Sequence, residues 1–543
     1  MPLHSPDRPA PSPWHRRHLI ALAAVGTVGG LLGWRLRQPP VTLGGDDATY
    51  LLLAEALRHG KYVDLFLPFS PPHAQYPPGF PAVIAATQAV AGTNPAVVVA
   101  INLALLFTTT LLIANVVRRL VTPRVGVAAG AAVMLNPVMI SYAGWALSET
   151  LYITLSTAAL CMLADVDDES AGLRLWPAAA AGLAAFFTRT VGIAVVLAVL
   201  STGLLRRKWS TAIGAAIVAL VLIFAWFTYT SRAADLTLGW SYANDLAYVQ
   251  PFTRPDALLA RMISSAQHYL LVLPPWGFGV PEVPDMPLDN VFWVVSGVAL
   301  TVAGSRNAWR RWPSVVIYLA GYLGVLLVFP FSVTRLVTPL VPILTVLLAL
   351  GMTSLAGLVR REVQQDGPAL AFLVVVASVG LSRTVSAAAH QRECVASALG
   401  SCRTVAEAEW LATVDWIARN IPADAVVASS KPSTLYLVSH RRGVPSRILL
   451  GADVSELLAP TGPITHILLS DLWGYERTAL SGRLDAVCER LGTIATRWDG
   501  TLLLEVLEGH PEEREQPNAC QALRRFGTQA ADSQVIGRRT ADG

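Results

Sequence analysis

Charge is what this sequence has least of. Asp, Glu, Lys and Arg make up 14% of its 543 residues, where a soluble globular chain carries about 25%. So few charges cannot cover a water-facing surface of this size, and 53% of the residues are hydrophobic. Much of the surface must therefore face lipid. The formal net charge of +4 is small and does not suggest nucleic acid, no RNA- or DNA-binding motif is present, and no nucleic-acid partner is expected. Cysteine is also scarce, at five, and no internal repeat is visible.

What is present in abundance is apolar stretches near the roughly 20 residues that cross a bilayer. The N-terminal MPLHSPDRPAPSPWHRRH precedes Leu19 to Trp34, which is long for a signal-peptide core and is followed by no A-x-A site. It reads as an uncleaved first helix after a cytoplasmic tail, 1–17. Spans are expected at 18–36, 96–117, 125–142, 150–166, 175–188, 190–205, 209–229, 289–305, 313–330, 334–356 and 367–383. The segment 79–92 is apolar but short and Pro-flanked, and reads as a re-entrant or interfacial piece. With the N-terminus and Arg8, Arg16 and Arg17 inside, the clusters Arg118, Arg119 and Arg124, then Arg206, Arg207 and Lys208, then Arg306, Arg310 and Arg311, then Arg360 and Arg361 all fall on the cytoplasmic side. That is the positive-inside pattern, and it supports about eleven transmembrane helices.

The expected fold is thus an all-α polytopic plasma-membrane protein over 18–383, with outer loops 37–95 and 230–290 and a C-terminal extracytoplasmic domain. In that domain, 384–510, helix-like VAEAEWLATVDWIARN and LDAVCERLG alternate with strand-like DAVVAS, THILLS and TLLLEVL, the pattern of a small α/β unit. The tail 511–543 is polar and reads as disordered. Cys161 falls in a span. Cys394, Cys402, Cys488 and Cys520 fall outside, where two disulfides are permitted in three pairings. The most local is Cys394–Cys402 with Cys488–Cys520, and four free thiols are the alternative.

Several residues stand out chemically. Asp46 and Asp47, in Gly44-Gly45-Asp46-Asp47-Ala48-Thr49-Tyr50, are adjacent carboxylates at the start of an expected interfacial helix. They can cap that helix, serve as a general base or hold a divalent cation. Further on, His73, Gln75 and Tyr76 precede Pro77-Pro78-Gly79, a stiff turn back to the membrane beside which they could meet a polar substrate. Glu149, in Ser148-Glu149-Thr150, is an acid at the outer end of a span. Such a position is costly and functional by default, although first-turn capping also explains it. Arg189 and Arg335 sit at outer boundaries against the positive-inside trend. Their planar forks suit phosphate oxygens, and interfacial snorkelling is the bland reading. Arg383 is a weaker case of the same kind. In the second outer loop Trp240, Tyr242, Asn244, Asp245, Tyr248, His268, Tyr269 and Trp276 could stack on sugars or form an aromatic belt.

The acidic pair with Tyr50 and Glu55-Ala56-Leu57, followed by Tyr76-Pro77-Pro78-Gly79-Phe80-Pro81, resembles the GT-C superfamily of membrane glycosyltransferases. The nearest look is to the bacterial branch of protein O-mannosyltransferases and the aminoarabinose transferase of lipid A (glycosyltransferase family 39-like). The resemblance covers roughly 18–360. Tyr76 stands where the aminoarabinose branch has a lysine. The resemblance implies a polyprenyl-phosphate sugar donor, an extracytoplasmic acceptor (lipid, glycan or protein) and a catalytic acid in the first outer loop. It implies a further acid in the second, matched by Glu149, and a late arginine-proline region, matched by Arg335 with Pro339 and Pro342. Catalysis is then expected from Asp46, Asp47 and Glu149, and substrate binding from Arg335, Arg189, His73, Gln75 and Tyr76. No cofactor is required. Metal use is undecided, with the three acids as its only candidate ligands. The absence of a Walker or Rossmann phosphate loop argues against a nucleotide-sugar donor. Two other classes remain: a transporter or flippase of lipid-linked substrates, and a non-catalytic envelope assembly protein.

Overall fold

The structure is a computed structural model that describes residues 12–37, 46–164, 168–234, 255–280, 287–329, 333–359, 366–396, 403–451, 454–458, 462–470, 472, 476–497, 500–507 and 519–527. Arg8, Arg360, Arg361, Cys402 and with it the Cys394–Cys402 pairing, the loop aromatics Trp240 to Tyr248 and most of the tail lie outside these. The chain forms two compact units. One comprises Met1–Pro40, Tyr76–Thr228 and Asp245–Arg392, the other Val41–Gln75, Tyr229–Asn244 and Glu393–Gly543.

The first unit is helical. A helix occupies each stretch expected to span. Among the described residues five are long and apolar enough to cross a membrane: Arg16–Arg35, Pro95–Leu120, Trp209–Ala233, Thr334–Gly357 and Asp366–Glu393. A sixth would be the pair Pro123–Met134 and Pro137–Ala143, bent by 55°. The count of eleven is therefore not reached by length and composition. The bend has a local cause. Pro137 opens the second piece, and the Asn136 side chain accepts from the amides of Val138 and Met139 at 3.0 and 3.4 Å. One helix was not expected, Pro255–Gly277. Arg261, His268 and Pro274-Pro275 interrupt its apolar run, so it reads as loop in the sequence.

Residues Ile213, Ile217, Leu220 and Phe224 form one exposed stripe on the helix Trp209–Ala234. Spacing of three and four places them on a single face, and an apolar stripe of that length suits lipid rather than water. At one end of the unit arginines bind helix C-terminal carbonyls. Arg119 donates to the carbonyls of Cys161 and Ala164, and Arg311 to those of Arg119 and Leu120. Cations there also complement the helix dipoles. Basic clusters separated in sequence thus share one end.

The second unit holds a five-stranded sheet of order β2-β1-β3-β5-β4, with β1 Val426–Ser429, β2 Arg442–Pro445, β3 His466–Ser470, β4 Leu491–Arg497 and β5 Thr501–Val506. β1 runs parallel to β2 and β3, while β5 is antiparallel to β3 and β4. Alternation along the strands assigns the faces. Val427, Leu468 and Leu503 pack under Trp410, Val414 and Ile417 of the helix Val405–Asn420. Ala428, Ile467, Leu469, Leu502 and Leu504 pack on the other side with Leu52, Phe66 and Leu67. Residues of the segment 46–75, which precedes the Pro-Pro-Gly turn, therefore complete this core. Three more bonds hold them there: Thr49 Oγ1 donates to Ser433 Oγ, Gly443 N to the Phe66 carbonyl, and Arg442 to the Leu67 carbonyl.

Part of the expected disordered tail is ordered. Residues 519–527 form a helix that buries Leu523 and Phe526 in the same core. A disulfide between Cys488 and Cys520 fixes it, one of the bonds in the most local pairing, and Cys161 is a buried free thiol. The bond spans 32 residues, and loop-closure entropy gives such a cross-link about 3–4 kcal/mol. Cys488→Ser with Cys520→Ser is expected to lower the unfolding temperature of the purified protein and expose 519–527 to protease. An unchanged melt would show that packing alone holds the segment.

Glu476 is a buried carboxyl of this unit. It accepts from Ser446 Oγ at 2.6 Å, Ser470 Oγ at 2.9 Å and Ser470 N at 3.0 Å. Burial pushes its pKa up from 4.5 to about 7, against these bonds. The folded state thus keeps a proton that the unfolded chain releases above 4.5. Stability present below that pH is lost as pH rises through about 7, by about 3 kcal/mol. The difference between wild type and Glu476→Gln, followed by thermal melting across this range, should show the slope. A Gln variant with an identical pH profile would refute it.

Candidate active site

In the second unit the helix Asp47–Arg58 begins at Asp46, whose side chain makes no capping hydrogen bond. Asp46 is half-buried, whereas Asp47 is 1% exposed and accepts from the Ala48 amide at 3.0 Å. The two acids are therefore not equivalent: Asp47 is built into the fold, and Asp46 reaches the surface at the positive end of the helix. His73 is fully buried, with Nδ1 2.7 Å from Asp64 Oδ1 and its ring edge-on to Tyr62. The pair lies inside a hairpin closed by Asp64 N to the Pro71 carbonyl and His73 N to the Tyr62 carbonyl. His73 thus presents no surface to a substrate and acts within the loop. Asp64 carries no signal in the sequence. Gln75 is 7% exposed, and no group among the described residues pairs with its buried Oε1.

In the first unit Glu149, Arg189 and Arg335 come together from three segments. Glu149 opens the helix Glu149–Met162, Arg189 links the helix Asp168–Thr188 to a 3-10 turn, and Arg335 lies in the 3-10 segment Thr334–Leu340. Glu149 Oε1 meets Arg189 Nη1 at 2.6 Å and Arg335 Nε at 3.8 Å. Ser148 makes no capping bond and instead accepts from Arg189 at 3.1 Å. Glu149 is 1% exposed, while the arginine side chains keep 14% and 22% of their surface. Among the described residues the cluster sets one carboxylate against two guanidiniums, whose planar forks suit an anion such as phosphate.

The cluster is braced by residues the sequence does not single out. Tyr322 donates to the Leu336 carbonyl at 2.7 Å, fixing the turn that bears Arg335. Asn102 donates to the Trp145 carbonyl at 2.7 Å, holding the turn before Glu149. Tyr152 and Tyr318 meet through their hydroxyls at 3.4 Å in the same buried region. Each reads in sequence as ordinary core of an apolar helix. Gly79 explains part of the Pro-Pro-Gly turn: a Cβ there would sit 2.6 Å from the Phe187 carbonyl, so only glycine lets this helix approach the segment leading to Arg189. Tyr76 is 7% exposed. Glu149 begins the helix whose far end Arg119 caps, so the acid cluster and the basic end of the unit lie about 20 Å apart along it. Among the described residues no group of three or more His, Cys, Asp or Glu is placed to hold a metal.

No protein-family model matches the chain, and no curated protein matches it in sequence. Solved structures do. The crystal structure of ArnT from Cupriavidus metallidurans bound to undecaprenyl phosphate aligns over 90% of this chain and 97% of that one, with a TM-score of 0.54 and 14% identity. Its apo state aligns over the same shares with a TM-score of 0.53. The oligosaccharyltransferase of Archaeoglobus fulgidus, tethered with an acceptor peptide containing the NVT sequon, aligns over 91% of this chain and 75% of that one, with a TM-score of 0.51 and 13% identity. The fold is GT-C. The GT-C, ArnT-like resemblance drawn from the acidic pair and the Pro-Pro-Gly turn is thus met at the level of the fold, and the chain is a membrane protein. At these identities a shared GT-C fold assigns no residue a role.

Proposed function

We propose that this chain transfers a sugar from a polyprenyl-phosphate donor to a hydroxyl of an extracytoplasmic acceptor, with inversion at the anomeric carbon. The observation that carries the proposal is the Glu149–Arg189–Arg335 cluster, two guanidinium forks held together on a GT-C fold at the end of the bundle away from its arginine-capped end. The positive-inside rule assigns the capped end to the cytoplasm, which supports an outer position for the cluster.

Arg335 and Arg189 bind the donor phosphate, and Glu149 keeps both forks in place. Asp46 takes the proton of the acceptor hydroxyl as its oxygen attacks the anomeric carbon. The bond from that carbon to the phosphate oxygen breaks, and polyprenyl phosphate leaves with the electron pair. The guanidiniums stabilise the negative charge that builds on it. Asp47 orients Asp46 through the first turn of the helix. The reaction draws on no cofactor, and of the three acids that could serve a divalent cation, Asp46 is the one that is not fully buried. The test is transfer of radiolabel by the purified protein in lipid, from polyprenyl-phosphate sugars to a crude cell-envelope acceptor. Labelled acceptor is the expected result. A folded protein that labels nothing with any donor would overturn the proposal and favour a flippase or an assembly factor.

A further inference from the structure

The first outer loop contains a turn that holds one aromatic ring outward. Phe69 is 95% exposed, yet Phe66 and Leu67 beside it are fully buried. Phe69 and Ser70 have φ of 63° and 46°, a left-handed conformation that bulky L-residues avoid and that glycine adopts freely. The turn is not loose. Ser70 N donates to the Leu67 carbonyl, and Arg442 Nη1 holds both that carbonyl, at 2.7 Å, and Ser70 Oγ, at 3.2 Å. The Asp64–His73 pair closes the hairpin behind it. Strain of this kind persists only where the surroundings enforce it, and it gathers at functional positions. Here it does one thing, which is to present Phe69.

We propose that Phe69 is a bilayer-interface anchor, buried among lipid headgroups and upper acyl chains, which fixes the compact unit carrying Asp46 and Asp47 at the membrane surface. The sequence around it favours lipid over a protein or sugar partner. From residue 65 to residue 117 there is no Asp, Glu, Lys or Arg, and the nearest charged groups are tied down, Asp64 by buried His73 and Arg442 by the Leu67 carbonyl and Ser70 Oγ. Ten residues on, the chain enters the apolar helix Gly79–Ala91, within about 35 Å of the tip even if fully extended. Trp, Phe and Leu side chains of interfacial segments bury about 5–10 Å into the boundary between headgroups and acyl chains. Pro68, Pro71 and Pro72 stiffen the turn, so little freedom remains to be lost on insertion.

The full-length protein with Phe69→Cys, labelled with an environment-sensitive fluorophore, tests this in nanodiscs of phosphatidylcholine and phosphatidylglycerol. Lys61→Cys, exposed on the same unit, serves as the water-facing control. A label at 69 that is blue-shifted, quenched by doxyl lipids and shielded from iodide is expected. Quenching by iodide as strong as at position 61 would overturn the proposal. Protection from both quenchers would overturn it too, in favour of a contact with protein. Ser70→Cys on the same turn gives the same reading if Phe69→Cys does not fold. No outcome depends on sugar transfer, so the anchor can fail while the transferase assignment stands, or the reverse.

Discussion

Replacing Asp46 by Asn should reduce sugar transfer by about 10²–10⁴-fold while leaving the protein in the membrane at its normal level. The substitution keeps size and hydrogen-bonding capacity and removes only basicity. Asp46 is half-buried and its side chain does not cap its helix. Asp47 should behave differently. It is 1% exposed and bonded to the Ala48 amide, so Asp47→Asn should act on stability as well as on rate. Initial rates with a saturating donor, set beside melting curves for both variants, separate the two. If Asp46→Asn retains full transfer, the base is not Asp46, and Asp47 or Glu149 must take its place.

The apolar runs made most of the helical unit legible, because lipid demands long uninterrupted helices and leaves their signal undiluted. The signal failed where polar residues interrupt a helix that is nonetheless formed, as at Arg261 and His268 in Pro255–Gly277. There Arg261 donates to the Phe329 carbonyl at 3.0 Å, a contact of the folded state that no local pattern reveals. Three strands of the C-terminal sheet, β1, β3 and β5, were visible as short apolar runs, whereas β2 and β4 were not. That Leu52, Phe66 and Leu67 complete its core beside Ala428 of β1 was not visible. Leu67 and its partner Arg442 stand 375 residues apart, and pairing between such distant segments leaves no local period.

The candidate site was legible as a list of charges in unexpected places, not as an arrangement. Glu149, Arg189 and Arg335 each stand out because a charge at the end of an apolar run needs a reason. What the sequence does not show is that one carboxylate serves both guanidiniums, or that Tyr322 and Asn102 hold the turns on either side. His73 was misleading for the opposite reason. A histidine beside a Pro-Pro turn looks available to substrate, and only the fold reveals Asp64 as its buried partner.

Arg335→Ala should lower kcat by about 10²–10³-fold, the usual cost of removing one group that stabilises charge in the transition state. It should also raise KM for the donor. Arg335→Lys should recover only part of the loss, because an ammonium cannot reproduce the bidentate fork. Arg335 keeps 22% of its side-chain surface, and without it Glu149 still meets Arg189 at 2.6 Å, so its removal should lower the melting temperature less than loss of the Glu149 carboxylate does. Glu149→Gln should show the reverse balance. It strips the buried carboxylate from two guanidiniums and should destabilise the protein by about 3–5 kcal/mol, with activity lost as the arginines separate. Donor titrations and melting curves on Arg335→Ala, Glu149→Gln and the double variant distinguish the two roles. If the arginine binds phosphate and the glutamate positions it, the effects on rate will be far from additive. An Arg335→Ala enzyme with normal kcat and normal KM would leave the cluster a structural tie between three segments, and the donor phosphate would have to be bound elsewhere.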